Sequence, residues 1–109
     1  FAGGWFPSAD LNGFRKYAER YKAAYGNTPS RTASLAYDAV SLAAGLTARF
    51  GAQAFTEATL TTSSGFTGVD GAFRFRSDGL NQRALAIYQI ENNQLGVFSP
   101  APTNFSSGF

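Results

Sequence analysis

The sequence predicts a mixed α and β domain, about three helices followed by a short antiparallel β-hairpin region. Three observations carry this. Apolar residues recur at three- and four-residue steps over the first half, as on one stripe of a helix. After Ser63 the period changes to alternation, as in a strand with one dry face. Glycine, proline and asparagine punctuate the joins between these stretches.

The chain starts on a Gly-interrupted apolar stretch, Phe1 to Phe6, read as a strand end feeding a turn over residues 1–8. Ser8 and Asp10 are both candidate N-caps for the helix that follows, because a short side-chain oxygen can accept from a free first-turn N–H. That helix should run to about Tyr25, with Phe14, Tyr17, Ala18, Tyr21 and Tyr25 as its buried stripe and Arg15, Lys16, Glu19, Arg20 and Lys22 in water. Gly26-Asn27 is a left-handed stop, with Pro29 just beyond it. A second helix is expected from Thr32 to Phe50, ending at Gly51. Its segment Ser34–Leu46 carries Leu35, Ala39, Leu42 and Leu46 as one stripe, widened by Ala36, Ala43 and Ala44, and is expected to be the central buried helix. A Thr-rich third helix covers Thr56 to Thr62, closing a helical part over residues 9–64.

Residues 65–109 are expected to form strands and a tail. Gly65 to Gly71 reads as a glycine-punctuated loop. Phe73 and Phe75 alternate with Arg74 and Arg76. Ser77-Asp78-Gly79 turns the chain, and Ala84 to Ile90 is a strand. Glu91 to Gln94 is the polar turn of a hairpin, Leu95 to Phe98 returns antiparallel, and Pro100 and Pro102 end the pairing ahead of a Ser/Gly-rich tail.

Composition narrows the function classes. Charged residues make up 15% of the 109, below the ~25% usual for a soluble domain, while aromatics reach 16% with eleven Phe. So apolar a chain is expected to set some of its surface against a partner or against a further part of the protein. The net charge of +2 is too small to argue for nucleic acid. With no Cys, the chain offers no disulfide framework and no thiol nucleophile. No apolar run approaches the ~20 residues of a membrane span. The opening, without Met, reads as a mature fragment or an excised domain.

No residue set suggests catalysis, so an enzyme is not expected. There is no His to act as general base or to activate a Ser. The seven carboxylates fall in no metal-ligand spacing, and no cofactor or metal is expected. Asp38 stands alone on the second helix and is read as a structural carboxylate paired with a neighbouring Arg. The Gly65–Gly71 glycines precede a strand where a dinucleotide fingerprint needs a helix. Gly71 to Phe75 has a faint likeness to the aromatic strand of an RNA-recognition motif, but the weak basic balance and the order of elements argue against it. Trp5 and Phe6, at a strand end, can line a ligand cleft or fill a core, and the residues alone leave both open.

Taken in order, several segments resemble the C-terminal part of the type I periplasmic binding proteins of the leucine/isoleucine/valine-binding class. They are Gly4-Trp5-Phe6-Pro7; the helix with Phe14, Tyr17, Tyr21, Tyr25-Gly26 and Pro29; Ala36-Tyr37-Asp38-Ala39-Val40; Gly65-Phe66, Gly68, Gly71, Phe73, Phe75 and Gly79; and Arg83 to Ile90 with its hairpin. The ending Pro100-Ala101-Pro102 with Phe105 also looks like a bacterial subgroup of that fold, the penicillin-binding-protein activators.

The resemblance implies a C-terminal fragment of a two-lobed α/β fold that closes on a small ligand. It implies a periplasmic substrate-binding component of an ABC-type transporter, with an amino-acid-like ligand and a transporter permease as partners. The alternative it implies is a regulatory protein of the same fold that binds another protein. Residues 9–64 would belong to the first lobe and 65–109 would cross to the second. The ligand-side positions it implies are Trp5 and Phe6 at the strand end, and Thr32 and Ser34 at the start of the second helix. A helix N-terminus suits an anionic ligand group. The N-terminal part of such a protein, absent from this sequence, would then be a partner of the fragment, and self-association of the fragment is expected.

Overall fold

A computed structural model of the chain describes residues 3–91 and 94–105. The expected positions at Phe1 and Ala2, the middle of the Glu91–Gln94 turn and the tail from 106 onward lie outside the described residues.

The element order is β1 (Trp5–Ser8), α1 (Leu11–Tyr25), α2 (Ala33–Phe50), a 3-10 turn (Gly51–Gln53), α3 (Glu57–Leu60), β2 (Phe66–Gly68), β3 (Gly71–Phe75), β4 (Asn81–Arg83), β5 (Ala86–Glu91) and β6 (Gln94–Ser99). Asp10 caps α1 by accepting from the Asn12 N–H at 2.9 Å. Gly26, at φ +84°, ends it, and its N–H bonds the Lys22 carbonyl. Of the two cap candidates, Asp10 takes the role, while Ser8 donates to the Ala9 carbonyl. The third helix is shorter than expected: Thr56 caps it through a bond from the Thr59 N–H, and only four residues are α-helical.

Two three-stranded antiparallel sheets follow, ordered β1-β5-β6 and β2-β3-β4. In the first, Trp5 lies opposite Gln89 and Phe6 opposite Tyr88, and the β5–β6 hairpin pairs Glu91 with Gln94. In the second, Gly68 pairs with Gly71, so Val69-Asp70 is a two-residue hairpin turn. The stretch read from sequence as a loop is therefore the β2–β3 hairpin. Its first strand is only three residues long, too short to show alternation. The strand β4 was not expected either, because Asn81-Gln82-Arg83 is polar throughout.

The body is flat, with extents of 52 × 39 × 19 Å. Its radius of gyration is 16.0 Å, where a globular chain of this length would have about 13 Å. A small core forms from Ala72, Ala84 and Phe105, with Ala101 packed on it. Phe105, from the segment read as a tail, is thus an internal residue.

Helix α2 departs from its expected role. Leu35 is 46% and Val40 70% exposed, while Ser34, Asp38 and Leu46 are buried. The apolar stripe is bare at Leu35 and Ala39, half-buried at Leu42 and buried at Leu46, and two polar side chains face inward. Helix α1 keeps its stripe only in part, since Tyr17 is buried while Tyr25 is 72% exposed. The two helices meet through rings: Tyr17 lies 5.2 Å from Tyr37, and the Arg20 guanidinium sits over Tyr37.

Candidate ligand-facing site

The polar side chains buried on α2 reach the Val69-Asp70 turn. Asp38 Oδ1 accepts from the Val69 N–H at 2.8 Å. The Ser34 hydroxyl, with no exposed surface, donates to Asp70 Oδ2 at 2.7 Å. Arg31 NH1 lies 3.2 Å from Asp70 Oδ1 and donates to Ser34 Oγ at 3.3 Å. Asp70 Oδ1 has the Arg31 charge beside it but no aligned hydrogen bond, and Asp38 Oδ2 is buried without a partner. Arg31 is nearly half exposed, so water screens much of its attraction to Asp70. The expected Asp38–Arg pair is thus replaced: Asp38 takes a backbone N–H, and the arginine goes to Asp70.

Glycine makes this contact possible. The Asp38 carboxylate occupies the space a side chain at position 68 would fill, since a Cβ there would sit 2.6 Å from its Cγ. On the opposite side of the turn, Gly13 of α1 lets the Val69 carbonyl come against the helix backbone. Val69 is therefore held from both sides, its oxygen against α1 and its N–H on α2. The Arg31 guanidinium also stacks over Phe14 at 4.3 Å, joining the start of α2 to the first turns of α1.

The four positions implied from sequence separate into two pairs. Trp5 is 61% exposed and stacks on Phe98 at 4.6 Å between ring centroids. With the Gln89 amide oriented to satisfy both of its groups, the Trp5 indole N–H donates to it at 2.9 Å. Phe6 points to the other face and stacks on Tyr88 at 5.8 Å. Thr32 is exposed at the N-cap of α2 without a side-chain capping bond, its hydroxyl 3.3 Å from that of Ser30. Ser34 is enclosed. Among the described residues no hydrogen bond or ring contact joins one pair to the other. Helix α1 touches the surroundings of both: its Leu11 N–H donates to the Tyr88 hydroxyl at 3.1 Å, and its Phe14 lies beneath Arg31.

The start of α2 is already partly occupied. The Ala33 N–H bonds the Ser30 carbonyl, the Leu35 N–H bonds the Thr32 carbonyl, and the Asp70 carboxylate lies against the first turn. An anion at this helix end thus finds part of the N-terminal positive field answered by the protein's own acid. Sequence reading missed Arg31, Asp70 and Tyr88. The signal for the first two was faint: one basic residue before the helix and one acid between glycines, 39 positions apart.

Two clefts flank α2. One, of about 620 Å³, runs along its middle and C-terminal half between α3 and β2, walled by Leu42, Leu46, Phe66 and Phe73 with Asp38 at one side. The other is an apolar groove of Tyr17, Tyr21, Tyr25, Ala36, Tyr37 and Val40 on the open side of α1 and α2. Neither is lined by Trp5, Phe6, Thr32 or Ser34. Among the described residues no group of three or more His, Cys, Asp or Glu side chains is placed to hold a metal, and no helix is long and apolar enough to cross a membrane.

Two solved structures share this fold. One is a branched-chain amino acid ABC transporter protein from Rhodospirillum rubrum, at 20% identity and a TM-score of 0.69 over 86% of this chain. The other is a leucine binding protein from Thermotoga maritima, at 20% identity and a TM-score of 0.51 over 90% of it. This chain covers 30% of each of them. No curated protein matches the sequence. The family model described as periplasmic binding protein matches residues 1–94. With that match across most of its length, on an α/β arrangement of three helices and two small antiparallel sheets, the chain belongs to the periplasmic binding protein family.

Proposed function

We propose that the chain is part of the substrate-binding component of an ABC-type transporter, a non-enzymatic receptor that takes an amino acid or similar small ligand between two lobes. The observation that carries this reading is the family match over residues 1–94. The names of the two fold neighbours, a branched-chain amino acid transporter and a leucine binding protein, favour the same ligand class. On this reading the protein works in the periplasm and hands its ligand to the transporter permease. The remainder of the two lobes covers the tyrosine groove on α1 and α2, in keeping with a chain that covers 30% of each of those structures.

Trp5, Phe6 and Thr32 are the proposed ligand-side positions. Trp5 and Thr32 have side-chain surface to offer a ligand, and Phe6 is half-buried on the strand beside Trp5. Ser34 contributes from behind, holding Asp70 and through it the start of α2. Calorimetric titration of the encoded protein with single L-amino acids, including leucine, isoleucine and valine, tests the reading. Saturable binding of one or more is expected. Absence of binding to all, with recovery instead of a cell-wall synthase in complex, would replace it with the regulatory alternative.

A further inference from the structure

Strand β6 carries a β-bulge. Ile87 pairs with Ser99 but Tyr88 with Val97, so one step along β5 answers two along β6, and Phe98 is the extra residue. A bulge bends its strand and re-aims the side chain it carries. Here Phe98 turns over the sheet face that Trp5 occupies. The two residues stand on the outer strands β6 and β1, with β5 between them. Two strand spacings, about 10 Å, separate those strands, yet the ring centroids lie 4.6 Å apart at an interplanar angle of 19°. Both side chains therefore reach over β5 to meet. Gln89, the β5 residue opposite Trp5, fixes the indole by its edge. Its amide accepts from the indole N–H at 2.9 Å and donates to the Glu91 carboxylate at 3.1 Å. Trp5 is thus supported on one face by Phe98 and at one edge by Gln89, while more than half of its surface stays open to solvent.

We propose that Phe98 and Gln89 are positioning residues that hold Trp5 ready for the apolar side chain of a bound amino acid, an assignment that rests on Trp5 being a ligand-side position. An unsupported exposed tryptophan samples several rotamers, and a ligand must freeze one of them as it binds. The ring stack and the N–H bond fix the rotamer beforehand, so that ordering cost is not charged to the ligand. The indole N–H, the one hydrogen-bonding group of the ring, is engaged by Gln89. What Trp5 offers a ligand is therefore flat apolar surface without a donor for a carboxylate. Phe98, 55% exposed, extends that surface. Such a surface fits a branched aliphatic or aromatic side chain and gives little to the single methyl of alanine.

The test is calorimetric titration of the encoded protein with leucine and with alanine, for the wild type, Phe98→Ala, Phe98→Tyr, Gln89→Met and Val97→Ala. Val97 pairs with Tyr88, on the sheet face away from Trp5, and serves as the control. Phe98→Ala should weaken leucine binding about fivefold and alanine binding by less than about twofold. Phe98→Tyr, which keeps the stack, should restore leucine binding, and Val97→Ala should bind both ligands as the wild type does. Gln89→Met keeps the length of the side chain but loses its amide acceptor, and should weaken leucine binding about threefold. It also decides the matter if Phe98→Ala does not fold. A second readout is the fluorescence anisotropy of Trp5, taken as the difference between each protein and its Trp5→Phe counterpart. It should fall in Phe98→Ala while far-UV circular dichroism stays unchanged. Unchanged anisotropy, an equal loss for leucine and alanine, or a loss that Phe98→Tyr does not restore would overturn the proposal. A wild type that binds leucine, with Phe98→Ala and Gln89→Met binding it equally well, would overturn this proposal alone. A wild type that binds no amino acid would overturn the receptor reading and this proposal with it.

Discussion

Two glycines lie inside helices, and the structure gives their alanine variants opposite signs. By helix propensity alone, Gly13→Ala in α1 and Gly45→Ala in α2 should each stabilise by up to about 1 kcal/mol. Gly45 fits that expectation, because a Cβ there meets nothing within 4 Å. Gly13 does not. A Cβ at position 13 would overlap the Val69 carbonyl oxygen and come 3.1 Å from its carbonyl carbon, both backbone atoms that cannot rotate away. Relief requires α1 to lift or the β2–β3 turn to shift, and forced overpacking of this kind costs about 1–3 kcal/mol. A shift of Val69 also disturbs its N–H bond to Asp38, 2.8 Å long, and a bond to a charged acceptor contributes about 1.5–3 kcal/mol. Set against the propensity gain, the net loss for Gly13→Ala is about 2–5 kcal/mol. Urea unfolding followed by circular dichroism reads this as a lower midpoint for Gly13→Ala and a raised midpoint for Gly45→Ala. Equal midpoints for the two variants, or a gain for Gly13→Ala, would refute the account of the Val69 turn as clamped between α1 and α2.

Further predictions follow from the same cluster and from the ligand-side positions. Ser34→Ala leaves the buried Asp70 carboxylate without its hydroxyl donor and should destabilise by about 1–3 kcal/mol in urea unfolding; an unchanged midpoint would count against a structural role for that bond. Gly68→Ala places a Cβ 2.8 Å from Asp38 Oδ1 and should destabilise by about 1–3 kcal/mol, with Asp38→Ala in the same background adding little because the clash is gone. Asp38→Asn, which keeps an oxygen for the Val69 N–H, should be milder than Asp38→Ala; the reverse order would show that charge outweighs the hydrogen bond. In the encoded protein, Thr32→Ala should weaken amino-acid binding more than Asp38→Asn does, read by calorimetry, and the opposite order would remove the start of α2 from the ligand side.

What was legible in the sequence was local. The bounds of α1 and α2 follow from Asp10, Gly26 and Gly51, and the β5–β6 hairpin from its polar turn, because caps and turns are written in neighbouring residues. The buried side of α2 was legible only at its C-terminal end, where Leu46 is buried as the spacing predicts. Its leucine and alanine spacing describes an apolar face, yet Leu35 and Ala39 are exposed, whereas Ser34 and Asp38 face the turn 31 to 36 residues further on. Polar side chains buried this way are paid for by partners that no local pattern announces. The β2–β3 hairpin was hidden for a related reason: its glycines were read as loop freedom, when Gly68 is there to admit the Asp38 carboxylate. Among the site residues, exposure separates Trp5 and Thr32 from Ser34, and that distinction requires the fold.

The amino-acid titration of the encoded protein bears most directly on the central claim, with thermal unfolding as its companion readout. The account predicts saturable binding of a small amino acid and a rise in melting temperature with ligand concentration, equivalent to about 2.7 kcal/mol of added stability at a hundredfold excess over Kd. A melting temperature unmoved by every amino acid tested, with no heat of binding, would contradict it.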